Sequence, residues 1–225
     1  KFDKELEERG LRFVRYADDC NIFVKSEMSA NRVMKSVTSW LERKLFLKVS
    51  ATKTKVVRPT NSNFLGFTFW KDSNGWKCKP CKDRKEKLYT KIKEILKRKV
   101  AAAEPLSYIF TKVNQIVKGW INYFRIGSMK TFITEFGQWL RHKIRVIIIK
   151  QWKKPKRIYI NLQRINKRFK CNFNEEDIYK VANSRLGLYR QCGMNVINFI
   201  LSPTVLAIRK ANRPGLVNPL EYYLR

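Results

Sequence analysis

The chain has 225 residues, 44% hydrophobic and 13% aromatic, enough to bury a core in one large domain or two small ones and too apolar for a disordered tail. Its 49 Lys and Arg against 18 Asp and Glu give a net charge of +31, far beyond what solubility requires, which points to a polyanionic partner. No apolar run reaches the ~18 residues of a membrane span, no secretory signal is visible, and the five cysteines (Cys20, Cys78, Cys81, Cys171, Cys192) form no disulfide framework, so reduced, intracellular thiols are expected.

Residues 2–9 read as the end of a helix, with Phe2 and Leu6 one turn apart and Gly10 as its stop. Leu11–Val14 and Cys20–Val24 are short runs rich in β-branched and aromatic residues, and both read as strands. Arg15-Tyr16-Ala17-Asp18-Asp19 then falls at the tip of a tight hairpin, with strands over 11–16 and 20–25. Asp is favoured in turns, so the turn alone accounts for a bare Asp pair. The functional reading is that carboxylates there hold a hard cation such as Mg²⁺, which favours one or two carboxylates plus substrate phosphate oxygens. Two such ions can clamp the attacking and leaving oxygens of a phosphoryl transfer.

Ser26 opens a helix over 27–45, with Val33, Val37, Trp40, Leu41 and Leu45 as one apolar stripe, and a strand over 46–49 is expected to follow. Lys53, in Ser50–Val57, reads as a solvated lysine on an edge strand. Phe64–Phe69 reads as a strand with Gly66 inside it, where glycine weakens the strand unless a backbone or ligand must come close. Asp72-Ser73-Asn74-Gly75 turns the chain, and Trp76–Lys79 returns as the hairpin partner. Cys78-Lys79-Pro80-Cys81 lacks the further ligands of a zinc site, about four in all, and the single histidine, His142, lies far along the chain.

From residue 84 the period becomes helical. Leu88, Ile92, Leu96 and Val100 are spaced at i,i+4, a second helix is expected over 106–125 up to Gly127, and a third over 129–152. Ile144–Ile149 reads as a buried helix patch. Charge is uneven: residues 1–76 carry a net +6, residues 77–170 a net +22 and residues 171–225 a net +3, so the middle third is the expected nucleic-acid surface. Lys153, Lys154, Lys156 and Arg157 surround Pro155 in a basic linker, followed by a helix over 157–168. Asn174, Ser202-Pro203 and Asn218-Pro219 read as helix starts, the last with Glu221 as a capping-box partner.

Tyr16-Ala17-Asp18-Asp19, set between strands in so basic a chain, resembles the catalytic hairpin of reverse transcriptases, and its wording is closest to the group II intron-encoded reverse transcriptase/maturases. Ser50–Val57 is similar to the stretch after that family's palm helix, with Thr52 where Glu is common, which implies that Lys53 lies near the incoming nucleotide's phosphates. Leu65-Gly66-Phe67 resembles the primer grip. Val117–Phe124 resembles the core of the maturase domain, or domain X, although Trp120 and Phe124 equally suit plain core packing. The tail, Asn183–Gly187 through Leu220–Arg225, resembles the small C-terminal region of group IIC-type proteins, which lack an endonuclease domain.

The resemblance implies an α+β chain in three parts: a partial polymerase palm over 1–82 (ferredoxin-like, an antiparallel sheet with a helix), a helical thumb/maturase domain over 83–154, and a small helical RNA/DNA-binding region over 155–225. It implies nucleotidyl transfer to a primer 3′-OH templated by RNA, with two Mg²⁺, Asp18 binding both and Asp19 supporting, and Tyr16 and Ala17 completing the motif. The family's fingers, first palm motifs and third carboxylate precede the hairpin and are not in this sequence, so a fragment, the ordered part of a longer protein or half of a split enzyme is expected, inactive alone. Lys91, Arg98, Lys112, Lys118, Lys130, Arg141, Lys143 and the linker cations at 153, 154, 156 and 157 are the expected RNA ligands. Implied partners are group II intron RNA, an RNA template with a DNA primer, target DNA and the missing N-terminal segment or a complementary chain, with no membrane, in a bacterial cytoplasmic ribonucleoprotein. Two alternatives stay open. One is a non-catalytic RNA-binding splicing cofactor, which would gain nothing from clustered anions near RNA; the other is a reverse transcriptase of a defence or CRISPR-associated system, which the wording at 117–124 disfavours.

Overall fold

In the computed structural model, which describes residues 1–225, helix α1 (Phe2–Glu8) stops as its glycine dictates. Gly10 sits at φ +63°, its amide on the Glu7 carbonyl and the Leu11 amide on the Leu6 carbonyl, the two bonds of a Schellman motif. Strands β1 (Arg12–Tyr16) and β2 (Asp19–Phe23) pair antiparallel, with Arg12 opposite Phe23 and Tyr16 opposite Asp19. Helix α2 (Glu27–Lys44) is capped by Ser26, whose Oγ accepts the Ser29 amide, and Trp40 of its apolar face stacks on Phe2 at 6.1 Å. These elements belong to the first of two units, Lys1–Cys81 and Lys82–Arg225.

Two expectations fail in the first unit. No strand forms over 46–49. The chain leaves α2 through Phe46 at φ +53°, with the Leu47 amide on the Leu41 carbonyl, and Phe46 and Leu47 are exposed. β1 and β2 pair only with each other, and residues 46–49 join neither of their outer edges. Nor is Phe64–Phe69 one strand. It is β3 (Asn63–Phe64) and β4 (Phe67–Asp72) joined by the two-residue turn Leu65-Gly66. Both turn residues have positive φ, +52° and +83°, the pattern of a type I′ turn, whose twist matches that of the strands it joins. The glycine is there for the turn rather than within a strand. Strand β5 (Gly75–Pro80) completes the three-stranded sheet β3–β4–β5, with Ser73-Asn74 as its second tight turn. The Asn74 amide donates to Asp72 Oδ1 at 2.9 Å, and the Lys77 ammonium pairs with the same carboxylate.

The second unit is helical: α3 (Lys82–Ile95), α4 (Arg98–Ala101), α5 (Leu106–Phe124), α6 (Lys130–Trp152), α7 (Pro155–Phe169), α8 (Glu175–Ala182), α9 (Leu188–Gln191), α10 (Asn195–Ile200), α11 (Pro203–Ala207) and α12 (Pro219–Leu224). α3 packs on α5 through Leu88 and Ile92, and α5 buries Ile109, Val113, Val117, Ile121 and Phe124 along one face. Val100 departs from the expected stripe: α3 ends before it and it lies exposed in α4. The C-terminal half of α6 buries six consecutive residues, Ile144–Ile149, as a helix surrounded by neighbours does. It carries α7 and α9, and α12 folds back over α5 and α6. No helix is long and apolar enough to cross a membrane. Asn174 and Ser202 cap as expected, through side-chain oxygens on the Asp177 and Val205 amides. At Asn218 the cap differs: its side-chain amide donates to Glu221 Oε1 at 2.7 Å, and its side chain accepts no helix amide. Residues on both sides of Pro155 belong to the same unit.

Candidate functional site

Pairing of Tyr16 with Asp19 leaves Ala17 and Asp18 as the turn between β1 and β2. Ala17 sits at φ +51°, a left-handed conformation costing an L-residue roughly 1–2 kcal/mol. Arg15 holds it there. Its Nη1 donates to the Ala17 carbonyl at 2.8 Å, while Nε and Nη2 grip Asp3 Oδ1 and Oδ2 at 2.6 and 2.7 Å. One planar guanidinium therefore ties the hairpin tip to α1, a geometry the lysine ammonium does not offer. The hydrogen bond from Arg15 holds the Asp3 carboxyl below its ordinary range, and the same bond, with Asp3, Cys20 and Asp18 charge nearby, raises the Arg15 pKa.

Asp18 and Asp19 are both exposed, one on the turn and one opening a strand, and Tyr16 beside them is 66% exposed. Their donor set suits a hard cation: two carboxylates with open faces, to be completed by substrate oxygens and further ligands. No cluster of three His, Cys, Asp or Glu side chains forms in the chain, and both oxygens of Asp3 are already taken by Arg15. Asp18 and Asp19 are thus two adjacent exposed carboxylates with no third acidic, His or Cys side chain gathered beside them.

The other sequence-predicted groups occupy separate places. Lys53 is exposed in a turn, where the Lys53 and Thr54 amides both reach the Ser50 carbonyl, rather than on an edge strand, and no hydrogen bond or ion pair links it to the hairpin. Leu65, Gly66 and Phe67 come together as the β3–β4 turn and the first residue after it, with the Gly66 carbonyl accepting the Cys81 amide at 2.9 Å.

In the second unit Lys91, Arg98, Lys112, Lys118, Lys130, Lys153, Lys154, Lys156 and Arg157 are exposed. Arg141 is half-buried against Gly137, and burial lowers its pKa despite the nearby Glu221 carboxylate, so it is less available to RNA than the rest. Aromatic partners accompany several cations: Lys112 lies 5.7 Å from the Tyr108 ring, Lys118 5.6 Å from Tyr222 and Lys143 5.2 Å from Tyr189. Sequence reasoning missed these tyrosines and the Arg15–Asp3 fork. Tyr108 and Lys112 are at i,i+4 and could have been found; Tyr222 and Tyr189 lie too far along the chain from their partners to leave any local signal.

Comparison with known families divides the chain in the same order. Residues 1–69 match the model described as "Reverse transcriptase (RNA-dependent DNA polymerase)", a span that includes the Asp pair, Lys53 and Leu65–Phe67. Residues 85–168 match "Group II intron, maturase-specific domain", a span that includes every nominated RNA-binding cation. No curated protein matches significantly. A reverse-transcriptase segment followed directly by a maturase-specific segment is the order of one family: the chain belongs to the group II intron reverse transcriptase/maturases.

Proposed function

We propose that this chain carries the metal-binding hairpin of an RNA-templated DNA polymerase on its first unit and an intron-RNA surface on its second. The observation that carries the catalytic half is the Asp18–Asp19 tip, held in a strained turn by Arg15. Strain kept in place by surrounding structure is common at functional sites. Asp18 offers its carboxylate from the turn and Asp19 supports it from the strand. Mg²⁺ bound there supplies electrostatic stabilisation of the attacking and leaving oxygens. Tyr16 and Ala17 shape the approach to the nucleotide, Lys53 serves its phosphates, and the Leu65–Phe67 turn brings backbone to the primer end. A third carboxylate, absent from this sequence, would complete the site.

The maturase half rests on the exposed cations of α3 to α7. Phosphate contacts position RNA without reading sequence, so one helical scaffold can serve template–primer duplex and intron RNA on different faces. Within the second unit, residues 83–154 are the thumb/maturase part and 155–225 a smaller RNA- and target-DNA-binding part, acting in a cytoplasmic ribonucleoprotein.

The test is Asp18→Asn in the active protein that carries this chain. It removes metal-binding charge without adding bulk. Primer extension is expected to vanish, while RNA affinity and assisted splicing stay within about twofold of wild type. Normal DNA synthesis by the variant overturns the catalytic assignment.

A further inference from the structure

A pocket of about 290 Å³ opens where α3, the turn into α4, α6 and α9 meet. Lys93, Lys97, Arg98 and Lys143 line it, no carboxylate does, and none of the four forms an ion pair. Trp139 and Tyr189 supply aromatic surface above an aliphatic floor. Both rings are braced. Tyr89 meets Trp139 edge-on at 4.7 Å, and His142 meets Tyr189 edge-on at 4.2 Å. Tyr189 is still 51% exposed, and the Lys143 ammonium lies 5.2 Å from its centroid.

Four like charges around one small opening repel each other until an anion arrives, so the pocket is electrostatically set for phosphate. Its volume is near the lower end of the roughly 300–1,000 Å³ of small-ligand sites. That is too small for a duplex and fits one flat ring. A phosphate drawn to Lys143 arrives beside Tyr189, which puts the attached base within reach of an aromatic face. We infer that this pocket receives a single unpaired nucleotide of a structured RNA, its base against Tyr189 and Trp139 and its phosphates among Lys93, Lys97, Arg98 and Lys143. The inference rests on the reading of the second unit as an RNA surface and deepens it. Phosphate contacts elsewhere on the helices leave RNA sequence and loop position unread. Bulges and loops, whose bases can splay out and stack on aromatic side chains, are where proteins recognise RNA specifically.

The test uses the whole chain and two RNA hairpins, identical except for one bulged nucleotide. The bulged hairpin is expected to bind about tenfold more tightly, the effect of one stacked base. Tyr189→Ala should abolish that preference with paired-hairpin affinity within twofold of wild type, and Tyr189→Phe should retain it. A Lys93→Gln/Lys97→Gln double variant, altered only at exposed positions, should lose more affinity for the bulged than for the paired hairpin. Fluorescence of 2-aminopurine at the bulge should change on binding wild type and not Tyr189→Ala. Equal affinity of wild type for the two hairpins, or a preference that survives Tyr189→Ala, overturns the pocket and leaves the RNA surface standing. Failure of wild type to bind either hairpin removes the RNA surface and the pocket together.

Discussion

The two units of the chain are held by different physics. In Lys1–Cys81 the larger apolar side chains that are buried are few, Leu6, Val37 and Phe67, while Val14, Phe23, Met28, Phe46 and Leu47 are exposed. Its order comes from local polar devices: the Arg15–Asp3 fork, the Asp72–Lys77 pair, and turns built on Ala17, Leu65, Gly66 and Gly75 at positive φ. In Lys82–Arg225 a continuous set including Leu88, Ile109, Phe110, Ile133, Phe136, Leu140, Ile144 and Ile147 is fully buried. The proposed chemistry therefore sits on a unit held, within this chain, mainly by local polar contacts, and the proposed RNA surface on a more rigid one with a continuous apolar core. Regions with few buried apolar contacts open locally at low free energy.

The largest expected effect tests that contrast. Phe136 is fully buried among Tyr89, Phe132 and Trp139. Phe136→Ala should cost roughly 3–5 kcal/mol by loss of burial plus the cavity left behind. Val37→Ala removes a smaller, shallower side chain and should cost about half that or less. Denaturant unfolding followed by circular dichroism measures both. If Phe136→Ala cost no more than Val37→Ala, the second unit would not be the rigid one.

A smaller effect, on activity rather than stability, sharpens the account of the first unit. Arg15→Lys keeps the charge but loses the fork that joins Asp3 to the Ala17 carbonyl. Primer extension should fall about tenfold in kcat, with RNA affinity unchanged. Asp3→Asn should act similarly, and the pair together should be no worse than the stronger single variant, because both remove one link. Additive losses would show that Arg15 does not act through Asp3.

These devices mark the limit of what the sequence discloses. The Asp18–Asp19 hairpin was legible because its signal is local, two β-rich runs flanking a short polar tip. The long helices were legible by period, and the caps at Ser26, Asn174 and Ser202 by residue type at the start of an apolar run. The Leu65-Gly66 turn was not, because leucine is no usual turn residue and the Phe-rich context favours strand. Residues 46–49 have strand-like composition, but a strand needs a partner edge, which local sequence does not report. Asp3 binding Arg15 and Tyr222 meeting Lys118 are tertiary facts with no sequence period. Of the proposed site, then, the carboxylates could be read and the side chains that position them could not.

The smallest expected effect concerns acid, and it belongs to the second unit because the chain's one histidine is there. His142 lies on α6 with Nε2 buried and without a hydrogen-bond partner, its ring against Tyr189 and its Cε1 near the backbone at Gly193. Burial, then the positive charges of Arg145 and Lys143, hold its pKa below the usual 6.5. The unfolded chain therefore takes up a proton at higher pH than the folded one. Stability from a neutral His142 is full above the unfolded value of about 6.5 and is lost as pH falls through the lower folded value. Between pH 7.5 and 5.5 wild type should lose more Tm than His142→Gln, by a few degrees at most, since the ring is only partly buried. Carboxylates titrate alike in both proteins, so the difference isolates the imidazole. Because the same ring braces Tyr189, the bulged-hairpin preference should weaken over the same pH range if protonation loosens the aromatic wall. An equal acid shift in the two proteins would mean that His142 accepts its proton as readily folded as unfolded.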